Sequence, residues 1–115
     1  MIWKYLSAAV LVLVALGNST GGFREILAPL LGGGATGLTD ENAMLMKVSW
    51  HGFSVLVLFN AAVIAWPDTP RSLVIFAGIF WIVFALVDIV TSKFSHPGWI
   101  PMGIAGILAI IGAYR

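Results

Sequence analysis

Three ionisable residues fall inside long apolar stretches of this chain: Lys47, His51 and Asp88. A charge within a lipid-facing segment costs roughly 2.5–3.5 kcal/mol on insertion scales, so each calls for a partner or a function. Lys47 and His51 stand four positions apart, which puts both on one face of a helix. Counted along helices at 1.5 Å per residue, His51 lies roughly 12 Å and Asp88 roughly 8 Å from the same end. The three therefore read as one cluster, with two chemistries open to it. In one, Asp88 takes Lys47 or His51 as an ionic partner and fixes two helices together. In the other, Asp88 and His51 line a polar pocket for a ligand headgroup, an ion or a proton. Asn18, Arg24, Glu25 and His96 fall toward the same side and read as supporting residues.

Other constellations are thinner. Imidazole and carboxylate from His51, His96, Asp88 and Glu25 could supply a divalent-metal set, yet no helical HxxxH or HExxH spacing backs it. A redox role through His51, with His51 and His96 flanking a haem, needs His96 at helix depth, and Pro97 beside it argues for a loop. Ser54, His51 and Asp88 can be written as nucleophile, base and acid, but Ser49 and Ser54 read more simply as helix-packing hydroxyls. The run Gly32, Gly33, Gly34 lacks the Lys-Ser/Thr of a phosphate loop and reads as a hinge. No catalytic residue and no cofactor is named by these patterns.

The elements that must carry these residues follow from composition. Of 115 residues, 60% are hydrophobic and only 10% charged, with a mean hydropathy of +1.02. A soluble domain carries about 25% charged residues, so the missing polar surface is replaced here by surface that faces lipid. Disorder is excluded by the same figures, and a net charge of +1 gives no footing for nucleic acid. The chain has no cysteine, hence no disulfide and no thiolate site.

A helix of roughly 20 apolar residues spans the hydrocarbon core, and four such stretches fit in one domain, residues 1–115: 3–20, 43–66, 72–91 and 98–114. Long apolar runs without alternation predict helices rather than a barrel. The fold class is thus all-α, an integral membrane four-helix bundle running up-down-up-down. Short connections make the second, third and fourth helices consecutive antiparallel neighbours. The long first connection, 21–42, predicts a loop with a short amphipathic helix through Phe23, Ile26, Leu27, Leu30 and Leu31, then the glycine hinge. Thr39 or Asp40 supplies the next N-cap. The N-terminal stretch also has the look of a signal peptide, with a small-residue site at Ala15-Leu16-Gly17, and is read as a retained first span.

Basic residues divide evenly, with Lys4, Arg71 and Arg115 on the N-terminal side and Arg24, Lys47 and Lys93 opposite. The acidic pair Asp40-Glu41 and the depth of Lys47 tip the reading toward both termini in the cytoplasm, in a bacterial inner membrane. Ala105, Ala109 and Ala113 repeat every fourth position, beside Gly106 and Gly112. Such a stripe lets another helix approach closely, within the bundle, in a homo-oligomer or in a membrane partner.

The hydropathy plan and the segment Lys47-Val48-Ser49-Trp50-His51-Gly52 resemble small bacterial membrane proteins of the DoxX-like families. That resemblance implies a four-helix bundle and transfers no catalytic residue. Small multidrug exporters have similar size, but the acidic residue of their first helix has no counterpart through Leu16 here. The expected role is a non-enzymatic accessory or ligand-binding module. The alternatives are a homo-oligomeric transporter or channel and a redox or metal-binding subunit.

Overall fold

The computed structural model describes residues 1–32 and 38–115, and these are helical with no strand among them. Helix α1 is Ile2–Gly17, followed without a break by a π-helical stretch Asn18–Leu27 and by α2, Ala28–Gly32. Then come α3 (Asp40–Ala65), α4 (Arg71–Ser92) and α5 (Trp99–Tyr114). Ile2–Gly32, α3 and α4 are each long and apolar enough to cross a membrane, and α5 is a shorter apolar helix.

The continuous first helix corrects the loop and interfacial segment expected after Thr20. Helix pairing normally gives the Leu16 carbonyl to the amide of Thr20, and the Asn18 carbonyl to that of Gly22. Here the Thr20 hydroxyl donates to the Leu16 carbonyl at 2.6 Å and the Trp50 indole donates to the Asn18 carbonyl at 2.6 Å. Side-chain donors thus compete at both acceptors, which favours the wider π pairing to the fifth residue back. Gly22 lies beside the Trp50 crossing: an added Cβ would make ordinary contact with the indole at 3.5 Å and a tight one, 3.2 Å, with the Gly17 carbonyl oxygen. Pro29 sits just past the return to α pairing and does not end the helix. Gly32 is helical, whereas Gly33 and Gly34 of the expected hinge lie outside the described residues.

Thr39 caps α3, its hydroxyl accepting from the Asn42 amide at 3.1 Å, with Asp40 and Glu41 complementing the positive end of the helix. At the far end, α4 closes on Lys93 and Phe94, both in the left-handed region at φ 52° and 66°. Two consecutive non-glycine residues there are uncommon and costly. They fold the α4–α5 connection back over the last turn of α4.

Helix packing departs from chain order. The first helix lies between α3 and α5, and α4 packs along α5, while α3 and α4 scarcely touch despite their short connection. This corrects the expectation that α3 and α4 are close neighbours. The reason lies in side-chain size. α5 presents Ala105, Gly106, Ala109 and Gly112, all buried, and α4 answers with Gly78, so these backbones come close. α1 meets the same helix through Ser7, whose hydroxyl donates to the Ala105 carbonyl at 2.7 Å, and through Lys4, packed on Gly112. The alanine stripe is therefore occupied inside the chain: Ala105 and Ala109 are fully buried and Ala113 partly so.

By contrast, α3 and α4 meet through bulky rings, Phe53 lying 5.7 Å from Phe84 and 6.4 Å from Trp81. Aromatic contact holds the seam apart where glycine contact would close it. Outward surfaces remain apolar, with Phe59, Phe76 and Val90 exposed at 65%, 71% and 75%. Patches of this kind suit hydrocarbon and not water. Arg71 stacks on Tyr114, 4.4 Å from the ring centroid, and so joins the start of α4 to the end of α5.

Candidate functional site

Two polar networks face one cavity. The first joins the start of the π stretch to α3. Asn18 and Trp50 hold each other reciprocally: the Asn18 amide donates to the Trp50 carbonyl at 2.9 Å while the indole returns a bond to the Asn18 carbonyl. The Asn18 amide also donates to Ser54 Oγ at 3.0 Å, and the Ser19 hydroxyl donates to the same oxygen at 2.6 Å. Ser54 passes its own proton to the Ala15 carbonyl at 3.1 Å.

Proton counting then fixes the role of His51. Its Nδ1 lies 2.9 Å from Ser19 Oγ, and the single Ser19 proton is directed at Ser54. With the hydroxyl bonds running in that direction, the tautomer protonated at Nδ1 completes the network by donating to Ser19. Donation runs from His51 to Ser19 to Ser54 to a backbone carbonyl, opposite to the direction a serine nucleophile requires. The His51 ring also rests on Phe23, centroids 4.9 Å apart. His51 is a strut of the helix contact.

The second network is built on spacing of four along the end of α4: Asp88, Ser92, His96. The Ser92 hydroxyl donates to the Asp88 carbonyl at 2.6 Å and accepts from the His96 amide at 3.4 Å. This carries His96 back so that its Nδ1 lies 2.8 Å from Asp88 Oδ2. The carboxylate is largely shielded while the imidazole is about half exposed, at 14% and 49%.

Sequence reasoning grouped Lys47, His51 and Asp88, and the structure separates them. Lys47 is exposed, His51 belongs to the first network, and the partner of Asp88 is His96. Depth along the helices was similar, but rotation about the axes points these side chains to different neighbours. Asn18 and His96, expected as supports, are central, and Arg24 and Glu25 are exposed on the π stretch. Among the described residues no three of His, Asp and Glu gather as a metal-ligating group, so His51, His96, Asp88 and Glu25 do not form the metal set that could be written from them. The Ser54, His51, Asp88 set is likewise not assembled. Ser54, expected as a helix-packing hydroxyl, does pack α3 on the first helix, whereas Ser19 as the hydroxyl between it and His51 was missed.

Between the networks lies a cavity of about 640 Å³. Its wall is largely apolar, from Val14, Ile26, Phe53, Phe84 and Met102, with Asn18 and Trp50 on one side and Asp88 and His96 on the other. Neither Lys47 nor His51 lines it. No known protein family, curated protein or solved structure matches the chain. The site must be read from its own chemistry. A second cavity of about 480 Å³ follows along the α3–α4 seam and shares Phe53 and Phe84 with the first. Trp81 lines this second space, is 1% exposed, and has no acceptor for its indole N–H among the described residues.

Proposed function

We propose that this chain is a small integral membrane protein, of the general kind of the DoxX-like bundles it resembles, that binds an amphipathic small molecule and acts as an accessory or ligand-binding module. The observation that carries the reading is the 640 Å³ cavity, whose size and make-up, an apolar wall with a few convergent polar groups, fit a small-molecule site. Asp88 is the residue that distinguishes this cavity from a packing gap: His96 partners Oδ2, and the second carboxylate oxygen is set in an otherwise largely apolar wall.

In this reading the helices cross a bacterial inner membrane up-down-up-down, with both termini in the cytoplasm. Antiparallel contacts support the alternation: Lys4 meets Gly112, Ala15 meets Ser54, and Gly78 meets Gly106. The 31-residue first helix is about 46 Å long and exceeds a hydrocarbon core of about 30 Å, leaving Arg24 and Glu25 beyond the apolar zone. Because the chain has no cysteine, single replacements report sidedness directly. In intact cells, a membrane-impermeant thiol reagent is expected to label Ser95→Cys and to spare Asp68→Cys. Labelling of both, or of Asp68→Cys alone, overturns the orientation.

Cavity occupancy is tested with the fluorophore 1-aminoanthracene and the purified chain in phosphatidylcholine nanodiscs. Saturable binding is expected, weakened by roughly tenfold or more in Leu13→Trp, which adds bulk at the cavity wall. Identical, non-saturating uptake by both proteins would mean partition into lipid and would end the proposal.

A further inference from the structure

Resting on the ligand-binding reading, we infer that the occupant is a single-chain amphiphile with a cationic ammonium head, seated against Asp88 and running its tail along the α3–α4 seam. Charge selects the head. Among the described residues no Lys or Arg lines either cavity. His96 does, and it is paired with Oδ2 of Asp88, the acid of the lining, so the group left to meet a ligand head is a carboxylate oxygen, which suits a cation and not an anion. Among the described residues Asp88 has one side-chain partner, His96 on Oδ2, which leaves Oδ1 for a ligand. The rings of Trp50, Phe53 and Phe84 complete the wall, and aromatic faces favour an alkylated ammonium.

The seam selects the tail. Phe53 and Phe84 border both cavities, 5.7 Å apart between centroids, and beyond them the second space is lined by Leu56, Val57, Phe80 and other apolar residues, with Asn60 as a polar member whose amide is bonded to the Leu56 carbonyl. Since α3 and α4 scarcely touch, this space is continuous with the side of the bundle, where a chain can lie without breaking helix contacts. A headgroup at Asp88 and an alkyl chain passing the two rings would use both cavities at once.

The test compares dodecyltrimethylammonium, dodecanol and dodecanoate as competitors of 1-aminoanthracene on the full chain in phosphatidylcholine nanodiscs, each corrected for its partition into empty discs. The ammonium is expected to compete roughly tenfold better than the alcohol, with the carboxylate weakest. Asp88→Asn is expected to bring the ammonium down to the alcohol and leave the alcohol unchanged. His96→Gln keeps the carboxylate and is expected to keep the preference, so the inference stays testable if Asp88→Asn does not fold. Lengthening the ammonium from hexyl to dodecyl should tighten binding in the native chain and not in Leu56→Trp, which obstructs the second cavity. Equal competition by all three heads, or loss of the preference in His96→Gln, overturns the cationic class while the ligand-binding reading stands. Failure of 1-aminoanthracene to bind saturably overturns that reading itself.

Discussion

Gly106→Ala is expected to cost about 1–3 kcal/mol or more, and in detergent to lower the melting temperature enough that the bundle is no longer recovered intact. The added methyl would stand 2.6 Å from the Gly78 carbonyl oxygen, 2.8 Å from Ile82 Cγ1 and 3.1 Å from the Ile82 amide nitrogen. Two of these three neighbours are backbone and cannot turn aside, so α4 and α5 must separate and give up packing along their length. Gly103→Ala is the matched control. Its methyl would meet only the Ala85 methyl, at 3.7 Å, an ordinary contact, and its stability should be unchanged or slightly raised through helix propensity. Melting followed by circular dichroism in a neutral detergent compares the two, and equal melting temperatures would refute the close-contact account.

Ser54→Ala is expected to produce the second large loss, about 2–3 kcal/mol by the same measurement. One buried hydroxyl there accepts from Asn18 and from Ser19 and donates to Ala15. The Asn18 amide keeps the Trp50 carbonyl and the Ala15 carbonyl keeps the Asn18 backbone amide, so removing the hydroxyl costs three bonds and takes the acceptor from the Ser19 hydroxyl. The loss should extend beyond the site, because the Asn18–Trp50 exchange helps hold the π stretch. Ser49→Ala, on the exposed side of the same helix, should change little. A Ser54→Ala protein as stable as Ser49→Ala would show that lipid or water satisfies these groups and that the network does not hold the helices.

Composition and apolar runs were enough to read the four main helices, because helices that stay apolar on their outward faces leave a signal that no local detail can mask. The close packing of α5 was legible too, in the spacing of Ala105, Ala109 and Gly106, though not which helices it serves. Rotation about each helix axis was not legible. Lys47, His51 and Asp88 looked like neighbours in depth, yet depth does not fix which way a side chain faces. The partner of Asp88 depended on the turn at Lys93 and Phe94, and left-handed conformations at such residues run against local preference. The first helix was read as far as Thr20, and its continuation to Gly32 was lost to the opposite error. Gly21, Gly22 and Pro29 are ordinary breakers, and what overrides them is a set of side-chain donors, one of which, Trp50, lies 32 positions from its acceptor.

The central position of the first helix also sets an order of events. Its Ser7 bonds to Ala105, 98 positions later, while α4 and α5 adjoin in sequence. Long loops close late because their entropy must be met before the contact repays it. During synthesis the segment made first must wait for the segment made last, with Lys4 and Ser7, which face α5, uncovered in the meantime. Assembly of this small bundle therefore finishes at its beginning, and a chain stopped before α5 would leave its first helix exposed to any other helix with a glycine to offer.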